Sequence, residues 1–242
     1  MNRTQNPPKE YPLYDTPEFR LAGDRGLLMA FGETIDPGIN ARIRAMASHL
    51  SRELPQGVEE IIPTYCSLIL VYDPAETCPD ILIPELTAMN DGLDDESLPE
   101  PEVVELPVCY HPDLGPDLLH VAEVHGLTPE AVVDIHTKPL YPVYMIGFTP
   151  GFPYLGGLDE RLHTGRLSSP RTHVPAGSVG IANNQTGIYP IASPGGWQLI
   201  GQCPVKLFDP DRENPILLKA GSLLKFRAVS MDEFVSLKEE NR

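Results

Sequence analysis

The sequence predicts an α+β N-terminal domain followed by a mainly-β domain that closes as a barrel or packs as a sandwich. Three observations predict it. Apolar residues recur at helical spacing in the first ninety residues and again between residues 113 and 136. Proline is high, 27 of 242 residues, or about 11% against a usual ~5%. From Tyr141 onward, short strand-like runs alternate with Gly and Pro turns.

The elements follow in order. Residues 1–16 are polar and aperiodic and read as a disordered tail. Phe19–Ala22 and Gly26–Phe31 read as two strands around a Gly23-Asp24 turn. Asp36 caps a helix with Pro37 in its first turn, and its stripe is Ile39, Ile43, Met46, Ala47, Leu50 and Leu54. Val58–Pro63 and Cys66–Tyr72 read as strands and Pro79–Asn90 as a helix, completing an α+β domain over residues 17–90. Residues 91–102 carry six acids, no base and two prolines, the composition of an acidic linker. A β domain over 103–230 follows: a strand at Val103–Tyr110, helices at Asp113–His125 and Pro129–His136, then strands within YPVYMIGF, SVGIANN, TGIYPIA, GWQLIGQ, VKLF and SLLKFRAV. Residues 231–242 read as a terminal helix and tail.

Composition excludes several function classes. The formal charge is −16, and no Lys/Arg cluster interrupts it, so the surface repels phosphate backbones and nucleic acid is not an expected partner. The four cysteines form no C-x-x-C pair, and there is no H-E-x-x-H, so no metal site is expected. The N-terminus has no apolar core of a signal peptide, and the uncharged stretch Pro139–Leu158 holds four prolines and four glycines, which a membrane-spanning helix does not tolerate. A cytoplasmic protein without a membrane partner is expected.

Chemistry is best sought where charge is missing. Val174–Val205 is 32 residues without a charged side chain, in a chain with 21% charged usage. The run holds six glycines, several amides and the only tryptophan, Trp197. Glycine lets backbone approach a ligand, which favours a binding site or interface; a buried barrel wall is the alternative. Arg166, Arg171 and Lys206 bracket the run as anion contacts or as ordinary salt bridges. A second feature is the aromatic turn GFTPGFPYLGG at 147–157, which presents rigid rings to a ligand or packs as a hairpin. His136 ends a helix just before it, while His120 and His125 are spaced off one helical face. Gly196–Cys203 has P-loop spacing, but Gln202 and Cys203 replace the lysine and hydroxyl, so it is not a working P-loop. Ser178 lacks the G-x-S-x-G register of a nucleophile elbow.

GFTPGFPYLGGLD and PRTHVPAGSVGIANNQTGIYPIASPGGWQLIGQCPVKLFDP, with AGDRGLLMAFGETIDPGINARI and PTYCSLILVYDP in the front half, resemble the family of 5-oxoprolinase B subunits, also called allophanate hydrolase subunit 1. The resemblance implies that the β domain is a cyclophilin-like barrel. It implies an ATP-dependent lactam hydrolase subunit, inactive or weakly active alone, that opens 5-oxo-L-proline to L-glutamate. Implied partners are the C component of 5-oxoprolinase (allophanate hydrolase subunit 2) and a LamB/YcsF-like A component, with ATP and Mg2+ held in the complex. On this basis His136 and Arg171 are the expected catalytic residues. Phe148, Gly151, Tyr154, Pro175, Ser178, Gln185, Tyr189, Gly195, Gly196, Trp197 and Gln198 are the expected substrate- or nucleotide-binding residues. The family also includes an inhibitor of a sporulation histidine kinase and resembles carboxyltransferase domains of urea-processing enzymes. A kinase-binding regulator and an allophanate- or urea-handling component are therefore the alternative functions.

Overall fold

Local sequence signals set most elements of the chain, which is described from a computed structural model for residues 13–93 and 100–241. The expected tail (1–16) and linker (91–102) lie partly outside the described residues, at 1–12 and 94–99. Within the described part of that tail, the Tyr14 N–H donates to the Phe31 carbonyl at 2.9 Å. Two compact units divide the chain, Met1–Glu100 and Pro101–Arg242.

The first unit is a four-stranded antiparallel sheet with helices. Strands β1 (Glu18–Leu21), β2 (Gly26–Ala30), β3 (Val58–Pro63) and β4 (Ser67–Tyr72) lie in the order β1-β2-β4-β3. Helix α1 (Pro37–Arg52) starts as its sequence dictates. The Asp36 carboxylate accepts from Gly38 N–H at 2.8 Å and Ile39 N–H at 3.1 Å, and Pro37 occupies the first turn, where no N–H is missed. Ile39, Ile43, Met46 and Leu50 are fully buried against Leu68 and Leu70 of β4 and Leu82 and Leu86 of α2 (Pro79–Asp91). Leu54 falls beyond the helix and is exposed.

The second unit is a seven-stranded, nearly closed barrel-like sheet. Its strands are β5 (Val103–Val108), β6 (Leu140–Ile146), β7 (Pro153–Leu155), β9 (Ser178–Ala182), β10 (Gln185–Ile188), β12 (Gln198–Gln202) and β13 (Leu223–Ala228), ordered β12-β9-β10-β7-β6-β13-β5. All neighbours are antiparallel except β5 and β13, which are parallel. The two edge strands meet through one bridge, where Cys109 and Gln202 exchange both backbone hydrogen bonds at 2.9 Å. A separate ribbon pairs β8 (Arg171–Val174) with β11 (Ser193–Gly195). Helices α3 (Leu118–His125) and α4 (Pro129–Thr137) pack on β12 and β13, and α5 (Met231–Glu240) ends the chain.

Three expectations are corrected. Helix α3 begins at Leu118 rather than Asp113, because Pro116 disfavours helix at Gly115 and the preceding residues form a turn on the His111 carbonyl. The VKLF run forms no strand, only an isolated bridge between Phe208 and Ile216. Strands β7, β8 and β11 are additional, each only three or four residues long and held by tertiary pairing.

One buried hydrogen-bonded chain lies among the core residues Tyr110, Tyr141 and Phe226 of the barrel. His136 has no exposed surface; its Nε2 lies 2.9 Å from Thr186 Oγ1 and its Nδ1 2.8 Å from the Tyr110 hydroxyl. Thr186 donates its single hydroxyl hydrogen to the Gly180 carbonyl at 3.0 Å, so it can only accept from His136 Nε2–H. That leaves Nδ1 to accept from Tyr110 O–H, which fixes a neutral imidazole. Phe226 stacks on the ring at 4.5 Å, and burial lowers the His136 pKa from 6.5 to about 3.

A neutral folded-state histidine makes stability pH-dependent. The unfolded chain takes up a proton near pH 6.5 that the native state refuses until about pH 3, so stability falls as pH drops through that window. The wild type is expected to lose unfolding free energy on acidification more steeply than His136→Gln, which stays neutral at every pH. Denaturant titrations at a series of pH values between these limits measure both slopes; equal slopes would refute the buried neutral imidazole.

Candidate functional site

A cavity of about 350 Å3 opens on the barrel beside the β8–β11 ribbon. Its aromatic wall comes from two segments far apart in sequence. The β6–β7 hairpin supplies Phe148, Phe152 and Tyr154, and the uncharged run supplies Tyr189 and Trp197. Phe152 is the hub, with ring centroids 4.9 Å from Tyr154, 5.3 Å from Tyr189 and 5.5 Å from Trp197, the last two edge-on. Pro170, Pro194, Gly195 and Gly196 complete the rim with Arg166.

Glycines of the uncharged run serve these rings. A Cβ at Gly187 would lie 3.1 Å from both the Phe152 and Trp197 rings, and one at Gly195 would lie 2.3 Å from the Tyr189 hydroxyl. The run forms buried barrel wall in β9, β10 and β12, and its rings Tyr189 and Trp197 line one side of a cavity. Burial raises the pKa of both Tyr154 and Tyr189; the Arg166 charge pulls Tyr154 back, and a backbone hydrogen bond at Trp197 and then the Arg166 charge pull Tyr189 back.

Of the expected binding residues, Phe148, Tyr154, Tyr189, Gly195, Gly196 and Trp197 come together at the cavity. The others do not line it. Gly151 takes φ +82° in the hairpin turn, and Ser178 is buried in β9. Pro175 is in the exposed turn before β9, where its carbonyl accepts from Ser178 N–H at 3.2 Å. Gln185 sits at the start of β10 opposite Ala182. Gln198 is buried behind the rim, donating to the Gly165 carbonyl at 2.9 Å.

The two expected catalytic residues also lie off the cavity. His136 is sealed in the barrel interior among Tyr110, Tyr141, Thr186 and Phe226. Arg171 donates to Asp117 Oδ1 at 2.7 Å and to the Trp197 carbonyl at 3.3 Å. Asp117 in turn accepts from Leu199 N–H at 2.6 Å through Oδ2, and its own N–H donates to the Leu199 carbonyl at 2.9 Å. Arg171 thus holds the backbone at Trp197, the residue just before β12.

Arg166 is the charged residue that faces the cavity. In the sequence it was one of three cations bracketing the run, and nothing there distinguished it, because pairing is a tertiary property. Arg171 is paired to Asp117, Lys206 lies 3.8 Å from Asp209, and Arg166 has no acidic partner among the described residues. Among the described residues no cluster of three His, Cys, Asp or Glu side chains could hold a metal ion, and no helix is long and apolar enough to cross a membrane.

Comparison with known proteins adds a family. The family model for the carboxyltransferase domain, subdomain C and D, matches residues 17–218. The 5-oxoprolinase B subunit of Bacillus subtilis is 42% identical over 229 residues, covering 90% of this chain and 95% of the relative. The crystal structure of TTHA0988 superposes with a TM-score of 0.76 at 43% identity over 85% of this chain, which spans 40% of that longer one. The Kluyveromyces lactis urea carboxylase, 23% identical, shares the fold with a TM-score of 0.75, and this chain spans 24% of its length.

Two stability measurements test the site's construction. Arg171→Ala strips the partner from a carboxylate whose side chain is only 11% exposed and is expected to cost about 2 to 3 kcal/mol. Combined with Asp117→Asn it should cost less than the sum of the single losses, as a double-mutant cycle by denaturant unfolding would show; additive losses would mean no clasp. Phe148 has φ +65° and is 64% exposed, a strained backbone under a ring that buries little. Phe148→Gly is expected to leave the unfolding free energy within about 1 kcal/mol of wild type, strain relief offsetting lost contacts and added unfolded-state entropy. A loss beyond about 2 kcal/mol would make the ring structural.

Proposed function

The chain belongs to the carboxyltransferase-domain family, subdomains C and D, which includes B subunits of 5-oxoprolinase; from that premise we propose that it is the B subunit of an ATP-dependent 5-oxoprolinase. In this reading it works in the cytoplasm with the C and A components to open 5-oxo-L-proline to L-glutamate, and its barrel is of the cyclophilin-like type. Identity of 42% extending over 95% of a protein named as a 5-oxoprolinase B subunit supports the assignment. The single structural observation that carries it is the aromatic cavity with Arg166 at its rim, formed by residues of both sequence segments that carry the family resemblance.

The cavity's chemistry suits a binding contribution rather than a whole reaction. A lactam resists attack because its amide is resonance-stabilised, and ATP chemistry would activate the carbonyl. The lining offers rings, backbone, two tyrosine hydroxyls and a guanidinium, with no carboxylate to hold Mg2+ and no histidine or thiol to act as base or nucleophile. The residues present do not fit a Mg2+–triphosphate group, so nucleotide and metal are assigned to the assembled complex and no step runs through them in this chain. The chain alone is then inactive, and its share is to bind and orient the lactam. His136 and Arg171 become positioning residues, one holding the barrel interior and the other the backbone at Trp197, just before β12.

The test is reconstitution. The chain is expected to co-purify with its cognate C component, and 5-oxoproline-dependent ATP hydrolysis is expected only when the A component is also present. Full turnover by this chain alone, or a stable three-component complex that hydrolyses no ATP on adding 5-oxoproline, would overturn the assignment.

A further inference from the structure

We infer that Arg166 is the carboxylate anchor of the cavity, and that the ligand class the cavity selects is a small, flat, uncharged ring bearing one carboxylate. The inference rests on the reading that this cavity is the chain's share of the active site.

Ion pairing around the cavity singles Arg166 out. Arg161 is held by Asp159 through two bonds of 2.9 and 2.8 Å, and Arg171 is held by Asp117. Arg166 keeps its guanidinium for something else, at the rim of a cavity whose lining contains no acid. An unpaired guanidinium beside apolar walls is matched by a planar carboxylate, which it can grip with two parallel hydrogen bonds.

The segment carrying Arg166 is fixed on both sides. The Gly165 carbonyl accepts from Gln198 Nε2 at 2.9 Å, and the Leu167 N–H donates to the Gly196 carbonyl at 2.8 Å. Gln198 is 3% exposed and commits a buried amide to this one contact, with its Oε1 unpaired. Burying an amide with one unpaired oxygen is costly, so Gln198 is placed to hold the Arg166 segment rather than to stabilise the barrel. Gln198 is therefore a positioning residue for the anchor.

The remaining lining decides what kind of anion fits. Tyr154 and the exposed Phe148 present ring surface to the cavity, and the buried Phe152, Tyr189 and Trp197 back them, which rewards a ring laid against that wall. One guanidinium in a chain of net charge −16 compensates one negative charge and not the several of a nucleotide triphosphate. A monocarboxylate with an apolar ring face satisfies both conditions, and the carboxylate rather than the ring amide becomes the specificity handle.

Trp197 is the only tryptophan in the chain and sits in the cavity wall, so its fluorescence reports occupancy directly. The full chain is titrated with 5-oxo-L-proline, with 2-pyrrolidinone, which keeps the ring and lacks the carboxylate, and with ATP–Mg2+. Saturable change with 5-oxoproline is expected, weakened at least about ten-fold by Arg166→Ala, partly restored by Arg166→Lys and weakened by Gln198→Leu. Binding of 2-pyrrolidinone should be weaker and indifferent to Arg166. Equal binding of the two rings, 5-oxoproline affinity unchanged in Arg166→Ala, saturation by ATP–Mg2+ alone, or no response to any of the three would each overturn the inference. Turnover in the reconstituted complex separates the two readings. An active complex whose KM for 5-oxoproline ignores Arg166→Ala refutes the anchor and spares the 5-oxoprolinase assignment. Carboxylate-dependent binding without turnover does the reverse.

Discussion

Closure of the barrel at β12 is the constraint on which the rest of the second unit depends. β12 is an edge strand, and its outward backbone groups need partners that a neighbouring strand supplies at only one point. Gln202 exchanges two bonds with Cys109, while the Leu199 N–H and C=O are both taken by Asp117. Between them the pairing of β12 with β9 shifts at Leu199/Gly201, a bulge that re-aims the strand. The seam is tight enough to dictate residue types: a Cβ at Gly115 would lie 2.2 Å from the Ile200 carbonyl oxygen, and one at Gly201 would lie 2.8 Å from that of Cys109. Arg171 then neutralises the carboxylate that closes the seam and reaches the Trp197 carbonyl as well. A structural ion pair therefore sets where the indole of the cavity stands.

The same seam explains why charges near the cavity divide as they do. A carboxylate buried to satisfy a backbone N–H needs a cation, and Arg171 is consumed meeting that need. Arg161 is likewise occupied on its own helical turn by Asp159. With both accounted for, the guanidinium at Arg166 is the local charge left to act on a ligand. Its place follows from Gln198, the first residue of β12, and from Gly196 just before it, two residues that flank Trp197. Ring and charge are thus tied to the same three residues, Gly196–Gln198, at the entry to β12.

Much of the architecture was legible because it is written in local chemistry. Asp36-Pro37 starts α1 where a cap and a proline must, and the stripe at Ile39, Ile43, Met46 and Leu50 is the buried face. Short strands rich in Pro and Gly were not legible: Pro153–Leu155 and Ser193–Gly195 have no periodicity to read and exist because a neighbour pairs with them. The aromatic half of the cavity was legible from the turn at 147–157 and from Trp197. Its charge was not: the sequence pointed to Arg171, which the fold pairs with Asp117, while Arg166 lines the cavity, and one sequence cannot say which of three cations has already found an acid. The burial of His136 was illegible for a related reason. A helix-ending histidine beside an aromatic loop has the same local sequence whether it faces solvent or, as here, bridges Tyr110 and Thr186 inside the barrel.

Glycine carries the deeper lesson. Six glycines in an uncharged run invite the thought that backbone must approach a ligand. Here they let the protein approach itself: Gly180 makes room for the Trp197 Cβ at 3.0 Å, Gly187 for the Phe152 and Trp197 rings, and Gly195 for the Tyr189 hydroxyl. Rings backed this closely have little freedom to repack, so the cavity keeps its shape before a ligand arrives and the cost of ordering it is already met. Phe148 stands outside that arrangement, exposed at the mouth on a backbone in the left-handed region. Its ring meets the wall only edge-on, at 5.6 Å from Phe152. The wall of the cavity is thus held by close packing, and its mouth carries the one ring that packing leaves exposed.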